Sequence, residues 1–246
     1  MKALGIGKGD EVIVPANSFI ASATSVALTG ATPVFIDVKE NYLIDEEKIE
    51  ELITNKTKAV MPVHLTGRPC DMAKIEGIAK KHSLYIIEDC AQAVSAKWDR
   101  KPVGSFGIGC FSLHPLKNLS ACGDAGVITT NDEKLYSKLL QLRNIGLKNR
   151  NEADILGHNS RLDSLQAAIL NVKLKYLDSV TKKRRKSAVL YHQLLKDKKI
   201  KEIGYIPKDA EKEFSVYQAF IIQAERRDEL MKYLKNVGIE TAIHYP

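Results

Sequence analysis

Four short β-branched runs, spaced by helix-compatible stretches, constrain the fold of this chain more than any other feature. EVIVP (11–15), PVFIDV (33–38), KAVMPV (58–63) and LYIIED (84–89) are compact apolar segments. A strand with one solvated face alternates apolar and polar residues, whereas a strand buried on both faces reads as a nearly continuous run. Helix-compatible segments lie near 18–29, 45–54 and 71–82, with Asp45 and Asp71 placed to cap the second and third. This alternation predicts an α/β fold with a mostly parallel sheet sandwiched by helices. Two more strands are expected around 108–113 and 126–130, followed by a helix that Asn131-Asp132 starts and that runs to about residue 144.

The pattern changes after residue 161. Leu162, Leu165, Ile169, Val172 and Tyr176 recur at three- and four-residue steps, the mark of an amphipathic helix, which continues or bends on to Leu195. A polar connector (196–213), a strand candidate FSVYQAFIIQ (214–223) and a helix at 225–237 follow. The expected organisation is a large domain over 1–160, a connecting helical region over 161–198 and the beginning of a small C-terminal α/β domain over 199–246. An incomplete small domain would leave FSVYQAFIIQ with an unpaired apolar edge, an aggregation hazard.

With 246 residues, 44% of them hydrophobic, the chain can bury a sizeable core. It contains no apolar run of bilayer length, and MKALGIGKGDE lacks the features of a signal peptide, so a cytoplasmic protein without membrane partners is expected. The cysteines at 70, 90, 110 and 122 have no CxxC spacing and read as reduced, mostly buried thiols rather than disulfides, and no metal site is expected. Net charge is +7, much of it in KKRRK (182–186) and KDKKIK (196–201). No nucleic-acid module accompanies these runs, so they read as a solvated helix face. A positive field would also favour capture of an anionic small molecule.

In open α/β sheets, ligands bind beyond the carboxyl ends of the strands. Asp89 ends LYIIED, Gln92 follows in EDCAQA, and Ser112, His114 and Lys117 sit in FSLHPLKNLSACGDAG (111–126). Taken singly, Asp89 reads as a helix cap and Lys117 as a solvated surface residue. Taken together, with Gly104, Gly107, Gly123 and Gly126 around them, they can gather an acid, an amide, a hydroxyl and an amine at one sheet edge.

Eight ordered blocks carry a resemblance: ALGIGKGDEVIVPANSFIASATSV (3–26), GATPVFIDV (30–38), MPVHLTGRP (61–69), EDCAQAVSA (88–96), VGSFG (103–107), FSLHPLKNLSACGDAG (111–126), GHNSRLDSLQAAIL (157–170) and IETAIHYP (239–246). In these the chain resembles the DegT/DnrJ/EryC1/StrS family of pyridoxal-phosphate sugar aminotransferases, which share the aspartate-aminotransferase (fold type I) architecture. The resemblance implies pyridoxal 5'-phosphate as cofactor. Lys117 would be the Schiff-base lysine, Asp89 the partner of the pyridine nitrogen, and Gln92 the side chain beside the ring hydroxyl. Phe19 would lie against the ring face, Ser112 would bind the phosphate, and Asn159 would reach the phosphate from the partner subunit of a homodimer with shared active sites. His114 and His244 would lie near the substrate, and His114 has shaping of the loop as its alternative. A cationic, partly desolvated neighbourhood is expected to lower the Lys117 pKa.

The implied reaction moves an amino group from L-glutamate (or glutamine) to a nucleotide-linked keto-deoxysugar, with a dTDP-keto-6-deoxyhexose as the expected acceptor. The alternatives are amination of a carbocyclic ketone in aminocyclitol synthesis and a non-catalytic dimeric or sensor protein on the same fold. The family's upstream Ser-Gly-Thr segment and the remainder of its small domain are expected to be missing, and the chain as written to be poorly active for want of phosphate donors.

Overall fold

The computed structural model describes residues 1–197 and 203–245. The four apolar runs become β1 (Glu11–Pro15), β2 (Thr32–Ile36), β3 (Thr57–Val60) and β4 (Tyr85–Asp89). A short hairpin, β5 (Lys97–Trp98) and β6 (Lys101–Pro102), follows, and then β7 (Ile108–Ser112) and β8 (Gly126–Thr129) flank the lysine loop. Six of these form one sheet in the order β2-β1-β3-β4-β7-β8. All its pairings are parallel except β7 with β8.

Burial on both faces explains the continuous runs. Val12, Ile13 and Val14 are all 0% exposed. Val12 and Val14 pack with Val26 of α1 (Ala21–Ala27) on one side of the sheet. Ile13 packs with Met72, Ile75 and Ala79 of α2 (Met72–Lys81) on the other. Asp71 caps α2 through the Lys74 N–H, and Asp132 caps α3 (Glu133–Arg143) through the N–H groups of Lys134 and Leu135, as their positions predict.

The expected helix over 45–54 is instead two single 3₁₀ turns, Glu46–Lys48 and Glu50–Leu52. Asp45 does cap, but it holds the Glu47 N–H of a tight turn, and Ile53 is already extended. The long amphipathic stretch is broken into α4 (Ser164–Leu174) and α5 (Leu177–Asp197). Its apolar stripe is only partly covered: Leu162 and Ile169 are half-buried, while Leu165, Val172 and Tyr176 are 71%, 57% and 63% exposed.

FSVYQAFIIQ does not form the expected strand. After β9 (Ile203–Tyr205), only Glu213–Phe214 (β10) and Gln223–Ala224 (β11) are strands among the described residues, and α6 (Arg227–Asn236) follows. The residues between β10 and β11 spend their backbone donors elsewhere: Val216 N–H on the Gly67 carbonyl at 2.8 Å and Gln218 N–H on the Thr66 carbonyl at 2.8 Å. The unpaired apolar edge expected for this segment is therefore absent over Val216–Gln218. The basic run also needs correction. Lys182, Lys183 and Lys186 are solvated, but Arg184 donates to the carbonyls of Tyr217 and Gln218, and Arg185 donates to Asp209 and the Ser215 carbonyl. The expected boundary at 198–199 and most of KDKKIK lie outside the described residues. No described helix is long and apolar enough to cross a membrane. All four cysteines are free thiols, Cys70 and Cys90 buried and Cys122 exposed.

One buried carboxylate fixes the carboxyl end of β4. The side chains of Glu88 and His64 are both 0% exposed, with His64 Nε2 3.2 Å from Glu88 Oε2. Glu88 also accepts the N–H groups of Gly104 at 2.7 Å and of Phe106 and Gly107 at 2.9 Å. The Cys70 N–H donates to His64 Nδ1, which assigns the ring proton to Nε2, facing Glu88. Gly107 must be glycine for this turn to approach β4, since a Cβ there would lie 2.3 Å from the Ile86 carbonyl oxygen. Burial by itself raises the Glu88 pKa, but the hydrogen bonds from His64, Gly104 and Gly107 outweigh it and hold the carboxyl below its ordinary value.

Glu88→Ala would strand three backbone N–H groups and is expected to cost at least about 3 kcal/mol, measurable by urea unfolding at neutral pH. Because the folded-state pKa is depressed, the stabilisation from ionised Glu88 is fully present above its ordinary value of 4.5 and is lost as pH falls through the folded value. Glu88→Gln should therefore show a shallower fall in stability on acidification than the parent. Parallel acid limbs would rule this out.

Candidate active site

Four strand-to-loop transitions converge at the carboxyl edge of the sheet. The loop after β1 brings Ser18 and Phe19, the first turn of α1 brings Ser22, and the loop after β3 brings Thr66. Asp89 is the last residue of β4 and forms a parallel bridge with Val63. Ser112 is the last residue of β7, and Lys117 lies in the loop beyond it.

Asp89 is held at both oxygens. Oδ2 accepts the Ser22 hydroxyl at 2.8 Å, and Oδ1 accepts the Ala91 N–H at 3.1 Å. Ser22 is in turn 2.7 Å from Ser18 Oγ. Lys117 is half-buried, and burial lowers its pKa, while the Asp89 carboxylate acts on it in the opposite sense. The direction and the desolvation are as expected, but the cationic neighbourhood is not: the charge beside Lys117 is an anion that resists the shift, and burial alone lowers the pKa.

Gln92 is buried. Its Oε1 accepts the Thr66 N–H at 2.7 Å, and its Nε2 donates to the Tyr245 hydroxyl at 2.7 Å, with His244 Nε2 at 3.5 Å. Burial, then the Lys117 charge, lower the His244 pKa, so His244 too faces the lysine. Phe19 lies with its ring centroid 5.9 Å from that of Tyr245 and is 57% exposed. The structure thus brings Phe19, Asp89, Gln92, Lys117 and His244 together, with Tyr245 in their midst.

His114 is tied to the loop itself. Its carbonyl accepts the Lys117 N–H at 2.9 Å and its Nδ1 accepts the Leu116 N–H at 3.3 Å. Ser112 Oγ accepts the His114 N–H at 3.4 Å. Asn159 is exposed, pairs with Asn144 in an isolated bridge and accepts Arg161 Nε–H at 3.0 Å, so none of its partners belongs to the cluster. A concavity of about 530 Å³, lined in part by Arg143, Asn144, Lys148 and Arg161, shares no side chain with the cluster.

Sequence reasoning missed Ser22, Thr66 and Tyr245. Tyr245 was within reach, since it adjoins His244 in IETAIHYP. The others show themselves only through partners far away in the chain. A buried trio of His64, Glu88 and Cys90 has metal-ligand atoms within 4.8 Å of one another. Both nitrogens of His64 and both oxygens of Glu88 already have protein partners, so these two residues offer a metal nothing free.

A model described as the DegT/DnrJ/EryC1/StrS aminotransferase family matches residues 1–246. The chain belongs to this family. It is 47% identical over 248 residues to the dTDP-3-amino-3,6-dideoxy-alpha-D-galactopyranose transaminase of Aneurinibacillus thermoaerophilus, covering 100% of this chain and 67% of that one. It is 45% identical over 248 residues to a pleiotropic regulatory protein of Geobacillus stearothermophilus, covering 100% of this chain and 66% of that one. The X-ray crystal structure of S. venezuelae DesV in complex with a ketimine intermediate superposes with a TM-score of 0.96 at 41% identity, covering 100% of this chain and 66% of that one. The chain therefore spans about two thirds of the length of these relatives, and its sheet and helices are those of the sugar aminotransferases of the family.

In this family member the balance at Lys117 is testable without any ligand. Asp89 raises the lysine pKa, so Asp89→Asn should lower it further. The pH dependence of Lys117 acetylation, followed by peptide mass spectrometry, should shift its midpoint to lower pH in the variant. A shift to higher pH would contradict the arrangement described.

Proposed function

We propose that this protein transfers an amino group from L-glutamate (or glutamine) to the keto carbon of a nucleotide-linked deoxysugar, using pyridoxal 5'-phosphate. The observation that carries this reading is the pairing of a half-buried Lys117, its pKa lowered by burial, with a hydrogen-bonded Asp89 at the carboxyl edge of a parallel sheet. A dTDP-keto-6-deoxyhexose is the favoured acceptor, supported by the name of the Aneurinibacillus relative.

The chemistry of the donor set fits the cofactor. Lys117 offers an amine, Asp89 a carboxylate for a heteroaromatic N–H, and Phe19 an exposed aromatic face. Gln92 is fixed nearby by Thr66 and Tyr245. Ser112 accepts from His114 and, among the described residues, has no acceptor for its own proton, which leaves that proton for a phosphate oxygen. When bound, the cofactor supplies a carbon that carries the amino group and a ring that takes up an electron pair.

The protein's own contribution is then positioning and proton movement. A lysine amine whose pKa is lowered by burial spends more of its time unprotonated than a surface lysine, so it can attack a carbonyl and, once released, hold or move a proton. Asp89, kept in place by Ser22 and Ala91, keeps a ring nitrogen protonated. His244, kept largely neutral by burial and by the Lys117 charge, can accept a hydrogen bond from substrate.

A homodimer with shared sites is part of the same proposal. The exposed stripe of Leu165, Val172 and Tyr176 and the exposed Asn159 support it. Asn159 would reach a phosphate across the interface.

Borohydride reduction after incubation with pyridoxal phosphate should place one phosphopyridoxyl group on Lys117, read by peptide mass spectrometry, and Lys117→Ala should lose it. Scattered labelling of surface lysines would refute the cofactor assignment. Asn159→Ala should weaken cofactor binding about ten- to hundredfold, the loss expected for one hydrogen bond to a charged group. Equal affinity in that variant would remove Asn159 from the site.

A further inference from the structure

Lys117 sits in a loop with few anchors of its own. Its N–H bonds to the His114 carbonyl, and the Ala121 N–H returns to Leu113 at 2.8 Å. The peptide groups on either side of Lys117 are held by a single side chain from a hundred residues away. Gln218 Oε1 accepts the Asn118 N–H at 3.0 Å, and Gln218 Nε2 donates to the Leu116 carbonyl at 2.8 Å.

Only two soft torsions, the φ and ψ of Lys117, lie between the Leu116 carbonyl and the Asn118 N–H. A planar amide that grips both groups sets those torsions, and with them the direction in which the lysine side chain leaves the backbone. We propose that Gln218 is a positioning residue for Lys117, acting as a clamp on the backbone either side of it. The inference rests on the proposed role of Lys117 and names the group that aims it.

The clamp is itself anchored. The Gln218 N–H bonds to the Thr66 carbonyl at 2.8 Å, and the Thr66 N–H bonds to Gln92 at 2.7 Å. The Gln218 carbonyl accepts Arg184 of α5 at 3.3 Å, and Asn118 Nδ2 adds a bond to the Val216 carbonyl at 3.3 Å. Gly67 makes the crossing possible: a Cβ there would lie 2.7 Å from Val216 Cγ2 and 3.0 Å from the Gln218 nitrogen. Thr66 and Tyr217 hold left-handed backbone, φ 60° and 48°, on the two sides of this crossing. Non-glycine residues keep such conformations only where the surroundings over-determine them. Gln92 and Lys117 are thus joined by one run of hydrogen bonds through Thr66 and Gln218.

A primary amide suits this place because it has one acceptor and one donor on the same plane. Glutamate keeps the acceptor for Asn118 but cannot donate to Leu116. Alanine loses both.

The test compares the parent with Gln218→Ala and Gln218→Glu, without cofactor and as the full chain. Hydrogen exchange at the Asn118 amide should accelerate about tenfold or more in Gln218→Ala, the change expected for one lost hydrogen bond. In the same variant the pH midpoint for Lys117 acetylation should rise towards that of a surface lysine, while the thermal unfolding midpoint moves little. Gln218→Glu, which keeps the volume and the Asn118 bond, should retain Asn118 protection, but its added anion raises the Lys117 midpoint by charge alone. A third variant, Gln218→Met, keeps the volume without charge and should raise that midpoint as Gln218→Ala does. If Gln218→Ala does not fold, Gln218→Met decides through the midpoint.

An unchanged Lys117 midpoint in folded Gln218→Ala or Gln218→Met would overturn the inference. Borohydride trapping on the parent separates this from failure of the cofactor assignment. Label absent from Lys117 in the parent would defeat the assignment, whereas the exchange and acetylation readings report on the clamp either way.

Discussion

The carboxylate of Glu88 is the point on which the site's framework depends. A carboxylate with no access to solvent is tolerated only when its lone pairs are filled, and here His64, Gly104, Phe106 and Gly107 fill them. Those donors come from the loop after β3 and the turn before β7, so one side chain ties β4 to two neighbouring segments. Adjacent residues of a strand point to opposite sides. Glu88 and Asp89 therefore divide two jobs: the first is sunk into the structure, and the second ends the strand among the site residues. Backbone bonds complete the joint, with Asp89 N–H to Pro62 and His64 N–H to Asp89. The position of Asp89 follows from the burial of its neighbour.

What can be read from the chain tracks how local its cause is. The central strands were legible because burial on both faces writes itself into consecutive residues, as in Val12, Ile13 and Val14. The segment 45–54 was misread because capping by Asp45 looks alike whether a 3₁₀ turn or an α-helix follows. FSVYQAFIIQ has strand composition, but its backbone donors find the carbonyls of Thr66 and Gly67, and nothing in its own residues announces that partner. Arg184 and Arg185 look like solvated charge for the same reason: their acceptors are backbone carbonyls and an aspartate more than twenty residues on.

The candidate site divides in the same way. Asp89 and Lys117 stood out as candidates only in combination, at a strand end and beside a Gly-rich turn, and through the family resemblance. The residues that hold them, Ser22 for Asp89 and Gln218 for the lysine loop, are ordinary polar residues whose partners lie 67 and 100 residues away. The electrostatics were read with the correct direction and half of the correct source: desolvation, but not the cationic neighbours. An amine can lose its charge readily because it is desolvated or because it is repelled. At Lys117 only desolvation contributes, against an opposing carboxylate. In the proposed reaction that opposition would have a use: the neighbouring anion limits the fall in pKa, so the amine would still bind a proton that the chemistry asks it to release.

An amphipathic stripe states that a surface is to be covered, but not by what. The three- and four-residue periodicity of Leu162, Leu165, Ile169, Val172 and Tyr176 would read the same whether the cover came from this chain or from another. Leu170 and Leu177 pack beneath the lysine loop with Leu113 and Leu119, so one side of this region supports the site from within. Leu165, Val172 and Tyr176 stay more than half exposed on the other. A helix that supports the lysine loop on one side and leaves apolar side chains uncovered on the other is poised to link assembly to the site. Docking a second copy on that stripe would bury apolar area and steady the helix under Lys117 in the same event. The proposed dimer would then serve the chemistry in two ways, by bringing in Asn159 and by stiffening the floor of the site.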